Sequence, residues 1–345
     1  MRAILLCAGK GVRFRPVTER LPKPLLPFLN VALARAHLRR LHEAGIGEVA
    51  VNLHHLPDQI ERDLGHQPAN LPQLSFFHEP EILGTAGALR NAAAFLDGGD
   101  GGDFLVVNAD AAIAPDFAGL IGRHRDSRRA ATLLVTENRN PDLYTPLQSE
   151  GDRITAFGVD GPRPLLYTGV CVMAARLLRR IPAGETALVR HLWQPLLDEG
   201  REEIGLVRHH GPYADLGRPG DFLGASLEAL ARGGPFPDGG GRFDAESRVL
   251  ALERPYEFEA SHCVLGRSRI GAGAVLSRTA VWDGARIGEG SRLTDCLVAR
   301  GRVPDGAHYA KALLWSPAAD TEVSVWPLSG LDRDDHRVQP LSPRR

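Results

Sequence analysis

The chain has 345 residues, enough for two domains, of which 43% are apolar and 24% charged. That balance is the one of an ordinary globular protein and argues against a disordered or membrane-embedded chain. With 41 basic against 42 acidic residues the formal net charge is −1, so nothing global points to nucleic acid or an anionic membrane as partner, and a polyanion would have to be bound locally.

The opening MRAILLCAG is too short for a signal peptide, and no apolar run approaches the roughly 18 residues a spanning helix needs. A cytoplasmic protein is expected. Cys7, Cys171, Cys263 and Cys296 show no CxxC pair and no metal-ligand spacing, and are expected to be reduced and buried. Only three basic residues are lysine: Lys10, Lys23 and Lys311.

In chain order, AILLCAG reads as a strand and VALARAHLRRLHEAG as an amphipathic helix closed by Gly45. EVAVNLHH, LSFFHEP and FLVVNAD are further strands, alternating with helices over LPDQIERDLG, GTAGALRNAAAFL and PDFAGLIGRHRDSRR. LLYTGVCVM is a strand and LVRHLWQPLLDEG a helix. IGLVRHHGPYADLG is then a strand leading into a helix over RPGDFLGASLEALAR. Strands and helices alternating at this spacing predict βαβ units, a mostly parallel sheet covered by helices, and ligands at the carboxyl ends of the strands. LCAGKG, FFHEPEILGTAG and VVNAD, all at such ends, are expected to lie near one another.

The segment 233–241, GGPFPDGGG, holds five glycines and two prolines and reads as a linker after a first domain over 1–232. Beyond it, VLGRSRIGAGAVLSRTA and VWDGARIGEGSRLTDCL repeat at a spacing of 17, placing Ile270 over Ile287, Gly271 over Gly288, Gly273 over Gly290 and Leu276 over Leu293. A shorter third copy starts at Val298. An aliphatic residue about every six positions, often followed by glycine, predicts a hexapeptide parallel β-helix over 242–328, with a tail over 329–345. Each coil must bury its open face on the next, so so short a helix is expected to lean on the first domain or on another copy of the chain.

Several phosphate-binding loops could be hidden in LCAGKGVRFRPVTERLPKPLLP, and spacing separates them. A dinucleotide fingerprint fails because Phe14 stands at its third glycine, and no P-loop is present. What remains is Gly9, Gly11, Arg13 and Pro16, then Lys23 between Pro22 and Pro24. The glycines would let backbone N–H groups approach a triphosphate, Arg13 offers a forked donor, and Lys23 a point charge stiffened by its prolines. Lys10 reads as solvated. His54-His55 and His209-His210 are poor metal pairs, because adjacent side chains on a strand face opposite ways. Arg123 to Arg129 read as a solvated helix face, and Trp193 and Trp282 as packing residues.

This stretch resembles the signature of sugar-1-phosphate nucleotidylyltransferases, and four more segments resemble the family in the same order. They are EPEILGTAGAL, VVNAD with Ala109 where glycine or serine is usual, YTGVCVM, and YADLGRPGDFL. The resemblance implies an α/β fold with a Rossmann-like, mostly parallel sheet carrying helices on both faces, and a short C-terminal left-handed β-helix. It implies NTP and sugar 1-phosphate as partners, Mg²⁺ as cofactor, and in-line attack of the sugar phosphate on the α-phosphorus with release of pyrophosphate. By the same resemblance Arg13 and Lys23 are catalytic. Ala8, Gly9, Gly11, Glu79, Gly84 and Thr85 meet the nucleotide, Glu79 through its side chain and Gly84 through its backbone. Tyr144, Arg163, Thr168 and Gly169 meet the sugar phosphate, and Asp110 and Asp215 hold the metal.

The family's E-K-P segment, whose lysine grips the sugar phosphate, is replaced here by a region with no lysine, leaving Arg163 in GPRP; Tyr144-Thr145 stands where Tyr-Gly is common. Mannose 1-phosphate with GTP is favoured slightly. Glucose 1-phosphate with UTP or dTTP, and N-acetylmuramate 1-phosphate with UTP, stay open. So do a non-catalytic sensor of nucleotides and, with less support from the coils, an acyltransferase in the β-helix.

Overall fold

In the computed structural model the described residues are 1–65, 71–99, 101–159, 161, 164–200, 203–233, 239–253 and 258–329. They form two compact units, residues 1–9 with 34–213 and residues 10–33 with 214–345. The divisions at Gly9/Lys10 and Tyr213/Ala214 differ from the boundary expected at 233–241, of which 234–238 lie outside the described residues, as does all of the expected tail but residue 329. The signature segment from Lys10 onward therefore groups with the repeats rather than with the sheet. No helix among the described residues is long and apolar enough to cross a membrane.

The first unit is built on nine strands: β1 (Arg2–Leu6), β2 (Glu48–Leu53), β3 (Gln73–His78), β4 (Asp103–Asn108), β5 (Ala131–Glu137), β6 (Leu147–Glu150), β7 (Arg153–Phe157), β8 (Leu165–Ala174) and β9 (Ile204–Arg208). Their spatial order is β3-β2-β1-β4-β8-β5-β9-β7-β6. The run β3-β2-β1-β4 is parallel, as the alternation with helices requires. The sheet then departs from that pattern, because β8 runs antiparallel between β4 and β5. Between β5 and β8 the chain makes the β6–β7 hairpin in place of a crossover helix, so it returns in the opposite direction. Strands β5, β6 and β7 went unread in the sequence, and IGLVRHHGPYADLG is two short strands, Ile204–Arg208 and Tyr213–Asp215. GTAGALRNAAAFL is likewise two helices, Gly84–Asn91 and Ala93–Asp97. All four cysteines are buried and unpaired, as expected, and burial pushes the Cys171 thiol up to about 12.

One buried titratable group makes stability depend on pH. His124 is 2% exposed, with Nδ1 2.9 Å from Thr132 Oγ1 and Nε2 3.5 Å from Asp103. Burial lowers its pKa, and the Asp103 charge offsets only part of that. Below the ordinary value of 6.5 the unfolded chain thus takes up a proton that the folded one resists, and stability falls as pH drops through 6.5 towards the folded value. The slope from this group is at most about 1.4 kcal/mol per pH unit. Urea unfolding between pH 8 and 5 should show the loss, and His124→Gln should flatten it; an unchanged profile would assign the acid sensitivity elsewhere.

In the second unit, residues 10–33 carry three tight helical turns, Val12–Phe14, Val17–Glu19 and Lys23–Leu25. The helix Pro219–Ala231 follows, and then three parallel ladders visited in rotation. One ladder stacks Val249–Ala251, Val264–Leu265, Ala280–Val281, Leu297–Val298 and Ala312–Trp315. A second stacks Glu259–Ser261, Val275–Ser277, Arg292–Thr294 and His308–Ala310. The third stacks Arg269–Ile270, Arg286–Ile287 and Arg302–Val303. Ile270 sits in register with Ile287 and Leu276 with Leu293, as the 17-residue repeat predicts. Leu265, Leu276, Val281, Ile287, Leu293, Val298 and Val303 fill the interior.

The stack starts earlier and ends later than the visible repeats, because its outer coils keep the inward aliphatic but not the glycine. A corner recurs at His262, Arg278, Asp295 and Lys311, each left-handed at φ between 51° and 54°. Such backbone costs a non-glycine residue about 1–2 kcal/mol. It is offset where each corner N–H donates to the preceding coil, at Ser261 O, Ser277 O and Thr294 O for the last three. Lys311 is thus a structural corner residue.

Candidate active site

Within the first unit, the carboxyl ends of β1, β2 and β4 converge. The Cys7 N–H donates to Asn52 Oδ1 at 2.7 Å, and the Ala109 N–H to Leu6 O at 3.2 Å. Asp110 is close enough for its charge to add to burial in raising the Cys7 thiol well above its ordinary range. Ala8 is buried at 7% exposure, whereas Gly9 is exposed and has nothing within 4 Å of where a Cβ would stand. The expectation that these strand ends meet is therefore met for Leu6 with Ala109 and Cys7 with Asp110, and Asn52 links Cys7 to Glu79.

Glu79, the residue expected to meet the base through its side chain, is held from within the first unit. It is 3% exposed; Oε1 accepts from Asn52 Nδ2 at 2.7 Å, and Oε2 from the Leu83 N–H at 3.0 Å. A buried carboxylate needs such donors, and here they tie β2 to the turn before Gly84. Glu79 shapes that turn from within. Asn52, the second member of the pair, was missed because an asparagine inside an apolar strand carries no motif.

Gly84 has φ +70°, and a Cβ there would stand 2.5 Å from the Thr186 carbonyl oxygen. The same carbonyl accepts from Ala86 N–H, while the Thr186 N–H donates to Leu83 O. Thr85 is a brace, its Oγ1 accepting from the Leu188 N–H at 3.0 Å. Thr168 too is turned inward: it is 3% exposed and its hydroxyl donates to Leu134 O at 2.8 Å. Gly169 lies at a register shift of β8 with φ +85°, and a Cβ would fall 2.6 Å from Asn108 Nδ2. Tyr144 is half-buried, with its carbonyl accepting from Asn138 Nδ2 at 3.1 Å. Arg163 lies outside the described residues.

Within the second unit, two cations converge on one carboxylate. Arg13 Nη2 lies 3.6 Å from Asp215 Oδ2, and Lys23 Nζ 3.7 Å from Asp215 Oδ1. The Lys23 side chain is only 7% exposed, an environment a lysine tolerates when an opposite charge is at hand. Its turn is closed by the Leu26 N–H donating to Lys23 O at 3.1 Å, with Pro22 and Pro24 restricting the backbone on either side. Partial desolvation, and next the Asp215 charge, raise the Asp221 carboxyl, while Arg218 and Arg13 act to lower it. Arg13, Lys23 and Arg218 against Asp215 and Asp221 leave one positive charge in excess, which suits an anion. Lys10 is exposed, as expected.

Gly11 packs closely on Thr18. At φ +61°, a Cβ on it would meet Thr18 Cγ2 at 2.8 Å, and its carbonyl accepts from Thr18 Oγ1 at 2.8 Å. Gly217, which carries no signal of its own in the sequence, lies against Arg13. A Cβ there would lie 2.5 Å from Arg13 Nη2, so the guanidinium lies over bare backbone. The group in the way is the end of a flexible side chain, so Gly217→Ala should fold with little change in melting temperature yet displace Arg13. A displacement of that size costs up to about 100-fold in kcat/KM. Activity at the wild-type level in the folded variant would show that the placement of Arg13 does not limit turnover.

Among the described residues no group of three or more His, Cys, Asp or Glu side chains could hold a metal ion. Mg²⁺ commonly needs only one or two carboxylates beside substrate oxygens and water, and Asp110 in the first unit and Asp215 in the second each carry hard oxygens of the type it takes.

Residues 2–157 match the family model described as nucleotidyl transferase. The mannose-1-phosphate guanylyltransferase of Mycobacterium tuberculosis is 29% identical over 305 residues, which is 86% of this chain and 83% of that protein. The catalytic subunit beta of mannose-1-phosphate guanylyltransferase from Danio rerio is 30% identical over 230 residues, 65% of this chain and 63% of that protein, so less than two thirds of its length is matched. A solved structure of a putative glucose-1-phosphate thymidylyltransferase from Bacillus anthracis aligns with a TM-score of 0.59 at 18% identity, over 69% of this chain and 98% of that one, a likeness of fold. Residues 2–157 thus carry a nucleotidyl transferase domain, and along most of its length the chain is similar to curated mannose-1-phosphate guanylyltransferases.

Proposed function

We propose that the protein condenses an NTP with a sugar 1-phosphate to an NDP-sugar and pyrophosphate, with GTP and mannose 1-phosphate as the favoured pair. The observation that carries this reading is the convergence of Arg13 and Lys23 on Asp215. The reaction needs no covalent enzyme intermediate, so the protein's task is to place two anions and neutralise charge that builds on the leaving pyrophosphate. Arg13, with its planar fork, binds and orients phosphate oxygens, and Lys23 supplies a compact charge that follows them. Gly9, open on its Cβ side, lets backbone come close to the phosphates. The turn at Gly84, braced by Glu79, Thr85 and Asn52, presents backbone to the base.

Asp110 and Asp215 are the carboxylates assigned to Mg²⁺, which when bound would offset phosphate charge and favour attack at the α-phosphorus. Arg13 and Lys23 hold Asp215 in place through their ion pairs. Gly169 and Tyr144 are assigned to the sugar phosphate, with Arg163 in place of the family's lysine. The parallel coils are taken as a left-handed β-helix, and the location as cytoplasmic, on the family resemblance. The glucose 1-phosphate and N-acetylmuramate 1-phosphate pairs are the alternatives within this reading.

The test is pyrophosphate release by the purified chain with Mg²⁺, each NTP in turn and a panel of sugar 1-phosphates. Release should be fastest with GTP and mannose 1-phosphate. Measurable nucleotide binding with no release from any pair would replace this reading by that of a sensing subunit.

A further inference from the structure

Trp282 sits just past the strand Ala280–Val281, whose Val281 points into the coil interior. Side chains alternate along a strand, so residue 282 faces outward. The ladder continues through it: Leu265 is in register with Val281 and Val281 with Val298, so Gly266 and Ala299 are its counterparts on the neighbouring coils. Small residues on both sides leave room for an indole on the outside of this one coil. An outward tryptophan would normally be wet, yet Trp282 is 3% exposed.

What covers it is the signature segment and the helix after Asp215. Phe14 stacks on the indole with ring centroids 6.3 Å apart and planes 18° from parallel, and Phe222 meets it edge-on at 5.3 Å. Phe14 and Phe222 also meet each other at 5.8 Å, and Phe28 closes on Phe222 at 5.6 Å. The indole Nε1 has no hydrogen-bond partner among the described residues, so the side chain acts through its face and size.

Phe14 directly follows Arg13 in the turn Val12–Phe14, which is closed by the Phe14 N–H on Gly11 O at 2.9 Å. A fully buried ring at 14 fixes the backbone from which the Arg13 side chain starts towards Asp215 and Gly217. We propose that Trp282 is a positioning residue for Arg13, so that the C-terminal coils set the geometry of the phosphate-binding arginine without touching substrate. The proposal rests on the reading of Arg13 as a phosphate ligand; the clamp itself is a matter of geometry and is tested separately.

Two readouts are needed on Trp282→Ala and Trp282→Phe: labelling of Arg13 by phenylglyoxal, followed by peptide mass spectrometry, and steady-state pyrophosphate release. In Trp282→Ala, Arg13 should label several-fold faster and kcat should fall about tenfold or more, while Trp282→Phe keeps a ring in place and stays near wild type. Phe14→Leu, which loses the stack but keeps an apolar residue, should move both readouts the same way and serves if Trp282→Ala does not fold. Leu293→Ala, a cavity inside the coil, should lower the melting temperature without changing Arg13 labelling. Folded Trp282→Ala or Phe14→Leu with wild-type labelling and kcat overturns the proposal, as does an equal effect from Leu293→Ala. If wild type releases no pyrophosphate, the functional reading fails, and Arg13 labelling still decides the clamp.

Discussion

Lys23→Ala is expected to remove nearly all turnover while leaving the fold intact. The ammonium is held almost out of water, 3.7 Å from Asp215, where a charge acts with far less screening than at the surface. Losing one preorganised donor aimed at developing charge typically costs about 100- to 1000-fold in kcat, or about 2.7–4 kcal/mol. Asp215 keeps its contact with Arg13 in the variant, so thermal melting should shift far less than activity. Lys23→Arg should not rescue, because a planar guanidinium does not fit a space shaped around an ammonium between two prolines. Pyrophosphate release and a melting curve on the same preparations decide it. Turnover of Lys23→Ala within a few-fold of wild type would sink the charge-neutralising mechanism.

Gly84→Ala is expected to damage both stability and nucleotide binding, for two independent reasons. Its φ of +70° costs an L-residue about 1–2 kcal/mol. The new methyl would also start 2.5 Å from the Thr186 carbonyl, a backbone atom already accepting from Ala86 and unable to move alone. Overpacking of that kind adds about 1–3 kcal/mol, so a total of several kcal/mol should appear in urea unfolding. Shifting the Leu83–Gly84 turn also breaks its tie to Glu79, so nucleotide affinity measured by calorimetry should fall with it. A variant as stable as wild type and binding GTP normally would show that the turn has freedom the contact does not reveal. Together with Gly217→Ala, the result would separate a glycine needed for backbone reasons from one needed to make room for a catalytic side chain.

The parallel run β3-β2-β1-β4 was legible because apolar runs and helical periodicity alternate cleanly up to residue 108. The hairpin β6–β7 was not, since its strands are four and five residues long and carry little apolar contrast. Arg13 and Lys23 were legible as chemistry, because glycines and prolines around basic residues are costly unless they serve a ligand, and Asp215 was legible only through the family resemblance of YADLGRPGDFL. Their mutual geometry was not, nor was the inward turn of Glu79, Thr85 and Thr168, whose residue types look the same whether they face a ligand or a neighbouring strand.

By itself the sequence determined the strand ends that carry the polar residues, the repeat that stacks Ile270 on Ile287, and the scarcity of lysine that singles out Lys23. Those features are local, set by periodicity and residue type within a few positions. Tertiary structure alone decided that the signature segment from Lys10 groups with the coils, that Phe14 is clamped under Trp282, and that Gly217 clears space for Arg13. Each of these joins residues about 200 or more positions apart through packing, and packing depends on which surfaces meet once the chain has folded, for which no local pattern in the chain is a cause.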